Sequence, residues 1–242
     1  MCVAAGIAQR VLRSSVQDAE SANLTLVPGE WTAIYGANLA GSVRTWTTSD
    51  FGAGNALPTS IDGVSVQFGG IPAAVFYVSP TQLNVQVPDG VSGSVPVTVT
   101  FDGIVSAAFT ATIGQNAPSF FVYQNGNTLY PAATHADNTL IGDPAVQPGS
   151  TKAKAGEEIV FYINGLAPSP AGVLISSATQ YTDPVTVNVG TESASVVWAG
   201  LVSAGLFQAN VVVPSDLAAG NYPITLSAGG KVSPGTVVLT VQ

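Results

Sequence analysis

The sequence predicts an all-β protein built as two tandem antiparallel β-sandwiches behind a short N-terminal extension. Three observations carry that prediction. Short runs alternate apolar and polar residues with a period of two, turn residues separate the runs at even spacing, and four segments recur in the same order in the second half of the chain. A period of two puts one strand face in a core and the other in water. Many short, evenly spaced strands belong to sandwiches and barrels.

Residues 1–20 match neither half. Val3 to Leu12 is the one helix-like stretch, with Gly6 as its only breaker. Met1 to Ala8 is apolar but too short, and lacks the basic start of a signal peptide. In the first half, Val64 to Phe68, Leu83 to Val87 and Val95 to Phe101 alternate; in the second, Val185 to Val189 and Val237 to Val241 do. The expected core includes Val64, Val66, Leu83, Val85, Val97, Val99, Val185, Val187, Val211, Ile224 and Leu226, with Ser65, Asn84, Gln86 and Thr98 on the wet face. Asp62-Gly63, Gly69-Gly70, Asp102-Gly103, Asn125-Gly126 and Gly229-Gly230 mark turns. Residues 119–130 read as a hairpin around Asn125-Gly126, and residues 143–156, rich in Pro, Gly, Ser and Lys, as a surface loop. Pro96 and Pro223 lack a backbone donor, so their strands are expected at a sheet edge or to begin there.

The repeat fixes the organisation. Pro28 to Leu39 corresponds to Ala155 to Leu166, Asp62 to Val66 to Asp183 to Val187, Gln82 to Pro88 to Gln208 to Pro214, and Val95 to Val99 to Tyr222 to Leu226, at an offset of roughly 121 to 127 residues. A sandwich of the immunoglobulin type takes about 100 residues. The expected division is therefore an extension at 1–20, a first immunoglobulin-like domain at 21–114 and a second at 115–242.

The first copy resembles the IPT/TIG type of immunoglobulin-like domain. The resemblance runs through Gly29, Ile34-Tyr35-Gly36-Ala37-Asn38-Leu39, Val64 to Ala73, Gln82 to Pro88 and Gly93 to Val99. The second copy is looser, with Ile163-Asn164-Gly165-Leu166 and Gly190-Thr191-Glu192 at the matching places. Residues 20–242 as a whole are similar to a tandem C-terminal module of secreted acidobacterial proteins. The segments that carry this are Gly29-Glu30-Trp31, Leu57 to Ser60, Ser79 to Gln86 and Ala132 to Asp137. The resemblance implies an extracellular or cell-surface setting and no particular activity.

Composition excludes several function classes. Charged residues are only 8% of the chain, against roughly 25% in average soluble proteins. Net charge is −8, and the six basic residues, Arg10, Arg13, Arg44, Lys152, Lys154 and Lys231, form no phosphate-tracking stripe. Nucleic acid is not an expected partner. No run of about 20 apolar residues exists, so no membrane insertion is expected.

No catalytic residue, metal ligand or cofactor is expected. His135 is the sole histidine, no G-x-S-x-G elbow accompanies it, and a loop-fixing hydrogen bond is its expected role. One histidine and one cysteine, Cys2, cannot assemble a zinc site. The aspartates stand singly beside glycine or proline, where turn chemistry accounts for them. Glu157 and Glu158 are adjacent, so on a strand they would face opposite ways and could not form an acid–nucleophile pair. Of the aromatics that could build a sugar platform, Trp31, Tyr35 and Trp198 are expected in the core, with Tyr77, Phe76 and Tyr123 as further members. Trp46, in the polar stretch Arg44 to Ser49, is the expected exposed ligand contact.

The functional expectation is a non-enzymatic extracellular structural or adhesive protein, the subunit of a filament or other polymer. The alternative is a carbohydrate-binding or spacer module of a secreted enzyme, with a glycan as partner. Self-association is assigned to the extension, through Val3, Ile7, Arg10, Val11, Leu12, Arg13 and Val16. A head-to-tail contact of that kind would not close and would grow a fibre.

Overall fold

A computed structural model of the chain describes the backbone of residues 12–18 and of residue 55, and backbone and side chains of the rest of residues 25–242. The expected helix-like stretch, except Leu12, lies outside the described residues, as do Val3, Ile7, Arg10 and Val11. The fold is all-β: two tandem immunoglobulin-like sandwiches, with only short 3-10 turns besides strands among the described residues.

The first compact unit takes in residues 24–114, the segment 12–18 and residues 170–174. Its strands are β1 (Leu12–Asp18), β2 (Thr25–Leu26), β3 (Trp31–Gly36), β4 (Arg44–Thr45), β5 (Ser60–Ile61), β6 (Val64–Phe68), β7 (Ile71–Pro72), β8 (Ala74–Val78), β9 (Gln82–Gln86), β10 (Gly93–Phe101), β11 (Ile104–Val105) and β12 (Phe109–Ile113). One sheet runs β1-β3-β9-β8-β4 and the other β2-β12-β10-β6-β5. Between them Ile34, Leu83, Val85, Val64, Val66, Phe68, Val97 and Val99 form the core, each at most 1% exposed. Asp62 and Gly63 both adopt positive φ and turn β5 into β6 in two residues, as a twist-matched hairpin requires.

The second unit covers residues 115–169 and 175–242. Its strands are β13 (Ser119–Phe120), β14 (Val122–Asn125), β15 (Thr128–Pro131), β16 (Ala133–His135), β17 (Glu158–Asn164), β18 (Thr179–Gln180), β19 (Val185–Val189), β20 (Glu192–Ser203), β21 (Leu206–Val212), β22 (Gly220–Ala228), β23 (Lys231–Val232) and β24 (Val237–Val241). The order is β13-β17-β21-β20-β19-β22-β24-β15-β14. The long β20 pairs with β19 through Glu192 to Ala194 and with β21 from Ser195 onward, so one strand serves both layers. In the first unit β7 and β8 divide that task, pairing with β6 and β9 respectively. The expected hairpin is present as β14 and β15.

The core residues read from the alternation are buried, except Val185, which is partly buried against the core. Two expectations need correction. Gln86 is fully buried, not wet: its Nε2 donates to Gly29 O at 2.7 Å and its Oε1 accepts from Gly172 N at 2.8 Å. Both amide ends are paired, which removes the penalty for burying them. The proline strands β10 and β22 are interior, each flanked on both sides. Pro96 pairs across to Thr110 and Pro223 to Val238, while their carbonyls accept from Gly69 N and Gly190 N. Each proline sits one residue past the last rung to β6 or β19. The missing donor therefore faces the point where the neighbouring strand has already turned away, and no ladder bond is lost.

Candidate functional site

The outward face of the β3-β9-β8 sheet follows from the parity of β3. Ile34 packs in the core, so Trp31, Ala33 and Tyr35 lie on the other side of the sheet, where Ala33 is buried, Trp31 half-buried and Tyr35 38% exposed. On β9, Leu83 and Val85 face the core, which turns Gln82 and Asn84 out. Register brings these together: Tyr35 lies opposite Gln82, and Asn84 opposite Tyr77. The result is a row of Tyr35, Gln82, Asn84 and Tyr77 across three strands, all half-buried or exposed. Gln82 Nε2 donates to Asn84 Oδ1 at 2.8 Å. Gln82 Oε1, Asn84 Nδ2 and the two phenol hydroxyls have no partner among the described residues.

A bulge completes this face. The β8–β9 register shifts between Val75 and Tyr77, leaving Phe76 as the extra residue. Phe76 packs against Trp31 at 5.8 Å and Trp46 at 4.8 Å between ring centroids. Trp46 also meets Trp31 at 5.5 Å and Phe51 at 5.2 Å. Trp46 is therefore half-buried in an aromatic cluster packed on the core, not the loop-exposed residue expected. Its polar neighbours explain the placement. Arg44 bonds Asp50 at 2.8 and 3.0 Å and Asp62 at 2.8 Å, and Asp50 also accepts from Thr47 N at 2.6 Å. The stretch is thereby folded into β4 and a 3-10 turn. Hydrogen bonds from Arg44, then from Thr47, hold the Asp50 carboxyl well below the usual range, and Arg44 with Ser42 does the same for Asp62.

The second unit repeats the row. Tyr162 lies opposite Gln208, and Asn210 opposite Trp198. Gln208 Nε2 donates to Asn210 Oδ1 at 2.7 Å. A bulge falls at the same place, between Val196 and Trp198, with Val197 as the extra, 55% exposed residue. Here Asn210 Nδ2 is engaged by Glu158 Oε1 at 3.0 Å. Trp198 lies on Gly200: a Cβ built there would come within 2.5 Å of the indole ring and 2.4 Å of Thr179 O. Only glycine lets the ring settle so close to the strand. Tyr35 and Trp198, expected in the core, thus stand at the surface of their units.

Tyr123 stacks on Tyr130 at 5.4 Å across the β14–β15 hairpin. His135 lies in an open cleft of about 500 Å³ lined also by Asp137, Thr139, Thr151, Lys154 and Glu158. Its Nδ1 is 3.2 Å from Glu157 Oε2 and its Nε2 2.8 Å from Thr151 Oγ1. Hydroxyl, imidazole and carboxylate stand in line, the order a hydrolytic relay uses. The same two bonds tie residues 151–157 to His135 on β16, and within that segment Glu157 Oε1 accepts from Lys154 N at 2.6 Å. Asp137, two residues on from His135, turns to Thr139 instead. Of the residues assigned to self-association, Leu12, Arg13 and Val16 fall in β1, which pairs with β3 at the edge of its sheet.

Fold and faces define a protein of tandem immunoglobulin-like β-sandwiches. Within it, an IPT/TIG domain is found at residues 29–115, the first of the two units. Among solved structures, the chain is similar to SGBP-B of the Bacteroides ovatus mixed-linkage glucan utilization locus, solved with a mixed-linkage heptasaccharide. Identity is 16%, TM-score 0.37, and the match covers 90% of this chain and 43% of that one. The surface glycan-binding protein PbSGBP-B from Prevotella bryantii matches at 14% identity and TM-score 0.27, covering 93% and 40%. The Escherichia coli adhesin FdeC matches at 14% and 0.30, covering 96% and 67%. The chain spans about two fifths of the length of the two glycan-binding proteins. These likenesses concern the fold. A search of curated proteins finds no match.

Proposed function

We propose that this is a non-enzymatic extracellular adhesive protein that works through the outward sheet faces of its two units. The observation that carries the reading is the repeated row of aromatic and amide side chains, half-exposed in both units and bearing no charge of its own. With charged residues only 8% of the chain, contacts made by rings and neutral hydrogen-bonding groups are favoured. The resemblance to modules of secreted proteins supports the setting.

The test is retention under flow. Beads carrying the full chain pass over glass coated with polysaccharides, with matrix proteins, or with the chain itself. Retention on some coat, lost in a Tyr35→Ala/Tyr162→Ala variant, is the expected result. No retention on any coat contradicts it. The enzyme alternative is tested by ester and glycoside hydrolysis with wild type and His135→Ala: turnover abolished by that substitution would overturn the non-enzymatic reading.

One observation favours the polymer form of the same reading. Strand β1 completes the edge of its sheet by backbone pairing to β3, and an edge strand is an element that a neighbouring copy can contribute. In this form Val3, Ile7, Arg10, Val11, Leu12, Arg13 and Val16 connect copies. Deleting residues 1–20 should then abolish filaments seen by electron microscopy; unchanged assembly refutes the connector.

A further inference from the structure

The two rows differ from their surroundings in what duplication has kept. Positions on the same side of the sheet beside them have diverged, the buried ones included: Trp31 has become Glu158, and the buried Ala33 and Gln86 have become Val160 and Val212. Four outward positions hold their chemistry: Tyr35 and Tyr162, Gln82 and Gln208, Asn84 and Asn210, Tyr77 and Trp198. Sheet stability does not require this set. Asparagine is among the poorest strand formers, and valine or threonine would serve a half-buried strand position better. Two amides are nonetheless retained between two aromatic rings, opposite a bulge retained at the same register. Bulges re-aim side chains and recur beside functional sites.

From this we infer that each row is a binding site for a neutral glycan, one per unit: Tyr35, Gln82, Asn84 and Tyr77 in the first, Tyr162, Gln208, Asn210 and Trp198 in the second. The inference rests on the adhesive reading and names its ligand class. The chemistry of the groups selects a sugar. A pyranose offers an apolar C–H face and a rim of hydroxyls that donate and accept. An aromatic ring takes the first, and its amphipathic build suits a half-wet site. An amide takes the second, because it carries two donors and an acceptor. In the first unit Asn84 Nδ2 and Gln82 Oε1 have no partner among the described residues and are available for this, while the bond between the two amides fixes their orientation. In the second, Glu158 holds Asn210 Nδ2, so Gln208 Oε1, the Tyr162 hydroxyl and the Trp198 ring carry the contact.

Charge decides against an anionic glycan. Among the described side chains no cation stands in either row, and Arg44, near the first, is already shared by Asp50 and Asp62. A second copy of the chain is the competing occupant, because uncharged aromatic positions also suit a protein interface; the oligomer outcome of the test separates the two.

The full chain is run in native gels containing hydroxyethyl cellulose, glucomannan or soluble starch, with alginate as the charged control. At least one neutral polysaccharide should retard it and alginate should not. Tyr35→Ala/Tyr162→Ala should weaken binding at least ~10-fold, the usual scale for losing a central aromatic contact. Gln82→Thr/Gln208→Thr, which suits a strand, should weaken it also with an unchanged melting temperature. Trp198 emission should shift on binding and stay unshifted in the Tyr162→Ala variant. The inference is overturned if no neutral polysaccharide retards the chain, if only alginate does, or if the threonine variant binds like wild type. It is overturned equally if the substitutions dissolve an oligomer without altering glycan binding. Bead retention confined to protein coats sinks the glycan assignment and leaves the adhesive reading standing; retention nowhere sinks both.

Discussion

The outward faces of the two units share a centre and differ in their frame. In the first unit the row is bordered by the cluster of Trp31, Trp46, Phe76 and Phe51, and by an ion-pair network around Arg44. In the second it is bordered by Glu158, and Trp198 rests on Gly200 instead of being walled by other rings. The cores differ in detail as well: Leu83 of the first unit corresponds to Ala209 of the second, both fully buried. Packing solutions have drifted while the polar row has stayed. Drift is what interchangeable apolar volumes allow. Retention of half-exposed amides is what the proposed glycan contact would account for.

The largest effects should come from forcing one unit to adopt the other's solution. Leu83→Ala gives the first unit its partner's residue without its partner's neighbours. It should destabilise that unit by about 2–5 kcal/mol through a cavity, seen as a lower melting transition for the first unit alone. A loss below ~1 kcal/mol would mean that the two cores are interchangeable there.

Gly200→Ala should have the next largest effect. The added methyl meets Thr179 O and the Trp198 ring, so the strand or the ring must move. A cost of about 1–3 kcal/mol is expected for such overpacking, with a red-shifted Trp198 emission in the second unit. An unshifted spectrum would show that the ring does not depend on that close approach.

The smallest expected difference is in acid. Asp50 and Asp62 are held below the ordinary carboxylate value of 3.8 in the folded state. Their contribution is therefore fully present above about pH 4 and is lost as pH falls through their folded values. In the second unit Asp137 is lowered chiefly by hydrogen bonds from Thr139, with smaller contributions from nearby His135 and its own backbone, and no described cation is in hydrogen-bond contact with it. Below pH 4 the first unit should lose more of its melting temperature than the second, and Arg44→Met should remove that excess. These groups are exposed, so the difference should also shrink in high salt.

The alternation in Val64 to Phe68 and Val97 to Phe101 was enough to place both core faces, because a period of two leaves one choice per strand. The expected core placement of Trp31 and Tyr35 fails because Ile34, between them on the same strand, turns inward and leaves their side of the sheet outward. Pro96 and Pro223 misled because a missing donor forbids a bond only where a neighbour is present to accept it, and here the neighbouring strand has ended. The burial of Gln86 depends on Gly172, far along the chain, and local pattern does not carry such a contact. The rows themselves needed register across three strands. Their one trace in the sequence was the recurrence of Gln-x-Asn at 82–84 and 208–210, polar positions that an internal repeat had no packing reason to keep.

The most direct measurement is the stoichiometry of a short neutral oligosaccharide, drawn from whichever polysaccharide retards the chain, on the intact protein by titration calorimetry. Two sites per chain are expected in the wild type, one in Tyr35→Ala, one in Tyr162→Ala and none in the double variant. A wild type that binds at one site, or variants whose stoichiometry does not follow the two rows, would contradict the account.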